Sequence, residues 1–483
     1  MMKNLIAFNA SNNGFTGHIP SSLCLGSPSL ALLDLYHNQL SGDIPNTLGN
    51  CSKLKVLKAG QLRRLEKLHL GNSNMSGQLP STLGNCTNLK TINLKINNFS
   101  GDLSKVNFAT LQNLRSIGLM MNHLGGIVPE SIYSCSMLTA LRLSGNHFHG
   151  EISPRIGNLK HLSCLSLGSN SFTNIMKALH ALKSCRNINT LLIGRNFMNE
   201  AMPQDETIDG FQNLQFLVMH HCSLTGRIPT WLSKFTSLKV LLLSSNQLTG
   251  PIPSWINSLN HLFGLDVSNN SLTGKIPMTL MEMPMLKSDK PAIYFDPSLL
   301  DLPIYVDDAN AKLQYRMGSA WPKGLNLGKN KFTGMIPQEI GHLEALTYVN
   351  LSFNNFYGEI PQSICKLTNL QGLDLSNNHL TGAIPVPLEN LHFLSRLNVS
   401  NNDLEGSIPA KGQLSTYQAS SFDGNPKLCG SVLTNHCSSV EAAPVSIISA
   451  KKCSEKIIFA IAFGVFFGVG VLYDQLVLFR YFG

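Results

Sequence analysis

The chain has 483 residues, of which 43% are hydrophobic and 13% charged, so it exceeds the length that one compact core usually supports. Its net charge of +9 is spread thinly, with Arg63-Arg64 and Lys451-Lys452 as the only adjacent basic pairs, which argues against a nucleic-acid partner. The 11 cysteines lack the C-x-x-C pairs of a zinc site, and we predict neither a metal nor a cofactor.

One pattern, L-x-x-L-x-L-x-x-N-x-L-x-G-x-I-P, recurs along the chain, as in "LKVLLLSSNQLTGPIP" from Leu238 and "LQGLDLSNNHLTGAIP" from Leu370. Most steps between the asparagines are 24 to 26 residues. The positions that carry this asparagine, or Ser or Cys in its place, are Asn13, Asn38, Ser73, Asn97, Asn122, Asn146, Asn170, Asn196, Cys222, Asn246, Asn270, Asn330, Asn354, Asn378 and Asn402.

Each part of this repeat has a physical reason. The L-x-L segment predicts a short strand with one buried side, and one strand per coil stacks into a parallel sheet. The asparagine amide can bond buried backbone groups of its own and adjacent coils, which would cost about 1–3 kcal/mol each if unpaired. Glycine permits a tight bend, and proline fixes an extended segment that lacks one donor.

These motifs resemble the plant extracellular leucine-rich-repeat family, for which L-x-G-x-I-P is the particular signature, from Leu5 to about Pro409. The implied fold is α/β: a right-handed leucine-rich-repeat solenoid with one parallel strand per repeat. We predict the following divisions: 1–284 repeats without an N-terminal cap and irregular near 51–65, 285–321 an island insert, 322–409 four further repeats, 410–437 a cap, 438–456 a linker, 457–479 a transmembrane helix and 480–483 a short tail.

The repeat is irregular at two places. Between Asn38 and Ser73 the step is 35 residues, and two strand patterns begin only 11 residues apart, so we expect a deletion and loose stacking near Gly60. Between Asn270 and Asn330 the step is 60 residues, which leaves an island from Met285 to Trp321. In the island, "LPIYV" and "KLQYRM" alternate around the turn-rich "DDANA", which predicts a hairpin.

The island followed by four repeats resembles receptors for tyrosine-sulfated plant peptides, in which the island helps to form the hormone site. The variable strand positions face the concave side, and an apolar strip lies there just before the island. We expect this exposed strip and the island to bind an extended peptide. The predicted ligand-binding residues are Leu192, Phe216, Val218, Val240, Leu242, Phe263, Tyr305, Tyr315 and Arg316.

Several polar residues near the strip have competing interpretations. Arg195, Lys239, Lys312 and Arg316 are candidates for an anionic group such as a sulfate, although charged residues on a solvated face are commoner than anion sites. About half of the island aromatics are expected only to pin the loop to the solenoid. His220 and His221 are interpreted as rim residues, since no third metal ligand recurs nearby.

Cysteines and sequons bear on the compartment. Cys51, Cys86 and Cys135 occupy a leucine position, so we expect buried thiols, whereas Cys429 and Cys437 resemble the capping disulfide of the family. Together with the sequons they favour the secretory route. Acceptor sequences for N-glycosylation begin at Asn9, Asn50, Asn74, Asn85, Asn98, Asn269, Asn350 and Asn398. The chain starts within a repeat and shows no signal segment, so an upstream piece is expected to be missing.

The uncharged segment from Ile457 to Tyr473 has 17 residues, about 26 Å of helix, and continuation to Phe479 would cross a ~30 Å hydrocarbon layer. A buried core helix is the alternative. Small residues recur every four positions at Ala460, Gly464 and Gly468, and predict a face for helix association, although they can recur by chance. The flanking lysines oppose the positive-inside rule, but a large translocated domain overrides that bias.

No glycine-rich phosphate loop and no H-R-D motif follows the repeats, so no enzyme activity is predicted. We expect a single-pass receptor-like protein of the plasma membrane with extracellular repeats. It would bind an extracellular peptide and signal through a co-receptor or adaptor receptor kinase. Two alternatives stay open: an inhibitor of pathogen wall-degrading enzymes, and a non-functional truncated product.

Overall fold

The structure is a computed structural model that describes residues 5–23, 27, 30–45, 65–287, 304–308, 311–315 and 322–437, the two short ranges 304–308 and 311–315 by their backbone. These residues belong to one compact unit that ends at Cys437. The alternation of leucines with variable residues predicts its main element, a parallel sheet.

The large sheet has 15 strands, and each strand pairs in parallel with the strand of the next repeat. Its strands are β1 (Ala7–Asn9), β3 (Leu32–Asp34), β5 (Lys67–His69), β7 (Thr91–Asn93), β9 (Ser116–Gly118), β11 (Ala140–Arg142), β13 (Cys164–Ser166), β15 (Thr190–Leu192), β16 (Phe216–Val218), β18 (Val240–Leu242), β20 (Gly264–Asp266), β24 (Gly324–Asn326), β26 (Tyr348–Asn350), β28 (Gly372–Asp374) and β30 (Arg396–Asn398).

Two further sheets form where each coil turns after its asparagine. A seven-stranded sheet contains β2 (Thr16–Gly17), β4 (Gln39–Asp43), β6 (Asn74–Gly77), β8 (Asn98–Asp102), β10 (His123–Gly126), β12 (His147–Glu151) and β14 (Ser171–Thr173). An eight-stranded sheet contains β17 (Thr225–Arg227), β19 (Gln247–Gly250), β21 (Ser271–Gly274), β25 (Lys331–Gly334), β27 (Asn355–Glu359), β29 (His379–Gly382), β31 (Asp403–Ser407) and β32 (Lys427–Cys429). Gly250 has a φ of +79°, which explains the repeat's glycine.

Short helices return most coils to the next strand. Within the described ranges the 3₁₀ helices are Ser81–Asn85, Leu103–Lys105, Phe108–Thr110, Glu130–Ser134, Pro154–Asn158, Thr230–Lys234, Ser254–Ser258, Met278–Glu282, Gln338–His342, Gln362–Lys366, Val386–Asn390, Gly412–Thr416 and Ala419–Ser421. The α-helices are α1 (Ile175–Leu182) and α2 (Pro284–Lys287). None of these helices is long and apolar enough to cross a lipid bilayer.

The repeated asparagines form the predicted ladder through the core. The Nδ2 of Asn122 donates to the carbonyl oxygens of Leu94, one coil earlier, at 3.1 Å, and of Leu119 at 3.0 Å. Its Oδ1 accepts from the backbone N–H of Phe99 at 3.0 Å. The same arrangement recurs in the other repeats from Asn97 to Asn402 that carry the asparagine, because each coil presents the same backbone groups to the next.

The two irregular regions fold differently. β3 pairs directly with β5, so the described strands on either side of the long step are neighbours in the sheet, while residues 46–64, including Gly60, lie outside the described residues. The island hairpin is confirmed: β22 (Ile304–Asp308) pairs antiparallel with β23 (Ala311–Tyr315). Each strand differs by two residues or fewer at each end from the predicted segment.

The cap follows β31 and ends in the predicted disulfide between Cys429 and Cys437, whose Cα atoms are 4.8 Å apart. Cys429 lies at the end of β32, which extends the eight-stranded sheet. The cap thereby covers the edge of the last repeat. The predicted linker, transmembrane segment and tail, with Ala460, Gly464 and Gly468, lie outside the described residues.

Candidate ligand-binding face

The middle residues of the large-sheet strands point into the leucine core, and the residues on either side of them point away, onto the face that is concave in repeat solenoids. Leu191, Leu217 and Leu241 pair in register and are at most 1% exposed. The third strand residues form a central row on the opposite face. This row runs Asn93, Gly118, Arg142, Ser166, Leu192, Val218, Leu242, Asp266, Asn326, Asn350, Asp374 and Asn398.

The apolar strip is contiguous as predicted. Leu192, Val218 and Leu242 are neighbours in the central row, and Phe216 pairs with Val240 in the parallel row beside it. Adjacent parallel strands are about 4.8 Å apart, so such large side chains pack on one another.

The expectation that this strip is exposed is wrong. Its six members, Leu192, Phe216, Val218, Val240, Leu242 and Phe263, are between 0% and 7% exposed and belong to the main hydrophobic cluster. The position of a residue in the repeat predicts the side of the strand on which its side chain lies. It does not predict how far neighbouring side chains bury it. These six residues therefore form a buried and closely packed surface, which we call the floor of the face.

More accessible polar groups border this floor. His220 is half-buried two residues after the end of β16, and its ring centroid lies 5.1 Å from that of His221 in an edge-on arrangement. Lys239, just before β18, is half-buried, and burial lowers the pKa of its ammonium group. Arg195 is exposed in a left-handed turn with φ of +55°. Two of the predicted anion candidates thus lie at the margin of the strip.

Asp266 follows Leu242 in the central row and ends the apolar strip on the side of the island. It is 8% exposed, and burial raises the pKa of its carboxyl group despite hydrogen bonds from neighbouring polar groups. Its Oδ1 accepts from the backbone N–H of Ser268 at 2.9 Å and from the hydroxyl of Ser268 at 2.6 Å. Asn350 makes the same pair of bonds to Ser352, so an uncharged amide serves equally well there.

The island contributes a backbone frame for the predicted ligand residues. The hairpin register places Tyr305 opposite Gln314, and Tyr315 opposite Ile304. Arg316 lies outside the described residues.

Two of the three cysteines predicted to be buried lie within the described residues. Cys86 and Cys135 are buried as predicted, and burial raises the pKa of each thiol to about 11. Cys51 lies outside the described residues. Throughout the described part of the chain, no group of three or more His, Cys, Asp or Glu residues could hold a metal ion.

The predicted glycosylation positions differ in accessibility. Five are exposed, two are half-buried in the central row, and Asn50 lies outside the described residues. The exposed asparagines are Asn9, Asn74, Asn85, Asn98 and Asn269, and the half-buried ones are Asn350 and Asn398.

A family model described as Leucine Rich Repeat matches residues 29–51, 64–86, 137–159, 213–235, 237–259, 261–283, 345–367 and 369–391. These matches cover strands of the large sheet. The chain contains leucine-rich repeats.

Two plant receptors are similar to this leucine-rich-repeat chain. Receptor-like protein 3 of Arabidopsis thaliana is 53% identical over 299 residues, which are 61% of this chain and 40% of that protein. Phytosulfokine receptor 1 of Arabidopsis thaliana is 43% identical over 76 residues, 16% of this chain and 7% of the receptor. The matched part thus spans less than half of the length of either relative. Within the described residues there is no kinase domain.

Solved structures support the same fold. A TDR receptor superposes with a TM-score of 0.65 at 26% identity, covering 89% of this chain and 68% of the receptor. PEPR1–AtPEP1 superposes with a TM-score of 0.50 at 25% identity, covering 89% of this chain and 73% of that chain. A Leptospira interrogans repeat protein reaches 0.53 at 24% identity, covering 84% of this chain and 80% of that chain, and shows the fold alone.

Proposed function

We propose that the chain is a receptor-like protein of the plant cell surface, with extracellular repeats, that binds an extracellular peptide and acts through a partner receptor kinase. The observation that carries this proposal is the 53% identity to Receptor-like protein 3 over 299 residues. The similarity to a phytosulfokine receptor favours peptides, sulfated or not, as the ligand class. Single-pass anchoring through residues 457–479 and glycosylation of the exposed asparagines are part of the proposal.

The ligand-binding face of this proposal is the central row and its margins between β13 and β20. The strip residues Leu192, Phe216, Val218, Val240, Leu242 and Phe263 form the floor, and the half-buried polar groups beside them contact the peptide. Main-chain groups of the island hairpin, with Tyr305, Tyr315 and Arg316, add to the site. An extended peptide on such a face gains affinity from main-chain bonds and specificity from the pockets beside them.

The experiment uses the full chain, solubilised from plant membranes in detergent. It is titrated with tyrosine peptides in sulfated and unsulfated forms, phytosulfokine among them, and hydrogen exchange is followed by mass spectrometry. We expect saturable binding of one peptide, with protection concentrated in β13 to β20 and the hairpin. Absence of binding across the peptides, or protection confined to the 3₁₀ helices, would contradict the proposal.

A further inference from the structure

A cavity of about 160 Å³ lies in the same face of the large sheet, and only the strand β13 lies between it and the strip. It crosses β5, β7, β9 and β11. A water molecule needs about 10–15 Å³ of such space, so the cavity has room for a small polyatomic ion. Its position separates it from the strip, which begins at Leu192 on β15.

A missing side chain creates this hollow. Gly118 of β9 lies in the central row between Asn93 of β7 and Arg142 of β11. Each of its neighbours carries a polar side chain, whereas the glycine leaves the row open to the backbone. The surrounding positions in the parallel rows, Thr91 and Ser116 among them, form the rest of the wall.

The wall is cationic. Lys67, Lys95 and Arg142 line the cavity together with His69, and none of the residues that line it is acidic. Oδ2 of Asp34, on the neighbouring β3, lies 3.8 Å from Nδ1 of His69. Arg142 is only 8% exposed, so water screens its charge less than that of an exposed arginine.

Oxyanions fit this chemistry. Guanidinium and ammonium groups bind carboxylate and sulfate oxygens by charge-assisted hydrogen bonds, which are shorter and stronger than neutral ones. The hydroxyls of Thr91 and Ser116 and the amide of Asn93 add neutral donors around the same space. We propose that the cavity at Gly118 binds a small oxyanion group, a carboxylate or a sulfate ester, carried by an extended ligand chain.

This inference deepens the proposed function, on which it rests only for the source of the anion. An extended ligand that occupies β13 to β20 and continues towards β5 would place a side chain or an end group over the cavity. Titration with free anions measures binding at the cavity in the absence of any peptide. The failure of one proposal is therefore distinguishable from the failure of the other.

Met120 supplies a probe, because it lines the cavity and its methyl group can be isotopically labelled. The full chain, labelled at methionine methyl groups, is titrated with sodium sulfate and with sodium acetate, against sodium chloride at equal ionic strength. The Met120 resonance is assigned from Met120→Leu. We expect a saturable shift of the Met120 resonance with sulfate, with acetate or with both. The anion that binds with higher affinity identifies the preferred group.

Gly118→Val places a side chain at the centre of the cavity and narrows it. Gly118 has no positive φ, and a Cβ there would meet its nearest neighbour, Asn93 Oδ1, at 3.5 Å, an ordinary contact. We expect anion affinity to fall at least about tenfold, the cost of excluding one charge-assisted group. The melting temperature shows whether the variant is folded.

Lys95→Gln removes one charge without filling the space, and Lys105→Gln is its matched control, since Lys105 is an exposed lysine that bonds Gln78 away from the cavity. We expect Lys95→Gln to weaken the anion about fivefold and Lys105→Gln to change it less than twofold. Shifts that match those in chloride, or equal affinities in the wild type, Gly118→Val and Lys95→Gln, would overturn the site.

Discussion

At the residue scale, the asparagine and the variable strand residues of each repeat have different roles. The asparagine satisfies backbone groups that the coil cannot pair by itself, and the variable strand residues decide what the face presents. Cys222 shows how far the first position can vary, since its thiol contacts the carbonyl oxygen of His220 at 3.3 Å in place of an amide. The preceding coils keep asparagine at Asn170 and Asn196, so the ladder is interrupted only locally.

Asn122→Ala removes the bonds to Leu94, Leu119 and Phe99 and leaves buried backbone groups without partners. We expect the free energy of unfolding to fall by about 2–4 kcal/mol, measured by urea denaturation. The control is Asn260→Ala, at an exposed asparagine, which should change it by less than about 0.5 kcal/mol. Equal effects of the two substitutions would show that the ladder does not stabilise the coils.

Asp266→Asn tests the buried carboxyl group. Because burial raises its pKa in the folded protein, the wild type is most stable with respect to this group below the unfolded pKa of about 3.9, and loses that stability as the pH rises through the folded value. We expect the variant to melt higher than the wild type at pH 7, and the difference to shrink towards pH 4. A variant that melts lower at pH 7 would contradict this.

At the element scale, α1 is a feature that the repeat pattern did not predict. The segment after Asn170 lacks the I-P pair, and a helix begins at Ile175 instead. The signal was present: Asn174 precedes apolar residues with helical spacing, of which Ile175, Leu179 and Leu182 are buried. The repeat pattern does not predict this helix, because the apolar residues of the segment follow a helical spacing and not the spacing of the repeat.

Glu200 fixes the start of α1. Its carboxylate accepts from the backbone N–H groups of Asn174 at 2.6 Å and Ile175 at 2.7 Å. Glu200→Ala should cost about 1–2 kcal/mol, because these donors lose their acceptor and the helix N-terminus loses a negative charge. Hydrogen exchange of residues 175–182 should accelerate. In Glu200→Gln, which keeps an acceptor, the exchange rate should lie between those of the wild type and Glu200→Ala. Unchanged exchange in Glu200→Ala would rule out this role.

At the scale of the whole molecule, sequence spacing predicted the parallel sheet, the asparagine ladder and the island hairpin, since each depends on local or strictly periodic contacts, and the resemblance to plant extracellular leucine-rich-repeat proteins implied the capping disulfide. It did not predict the burial of Val218 and Leu242, because cover depends on what packs across several strands. Nor did it find the cavity at Gly118, which arises from the absence of one side chain within a row. A comparison of the residues that occupy the same strand position in successive repeats would have indicated it.

The central claim is that the face between β13 and β20 binds a peptide, and the most direct measurement compares two charge reversals. Lys239→Glu reverses the charge of a half-buried lysine beside the strip, whereas Lys234→Glu reverses the charge of an exposed lysine in the 3₁₀ helix Thr230–Lys234 of the preceding repeat. For the peptide bound by the full chain, we expect at least about tenfold weaker binding with Lys239→Glu and less than about twofold change with Lys234→Glu. Equal affinities of the two variants, both folded, would contradict the account.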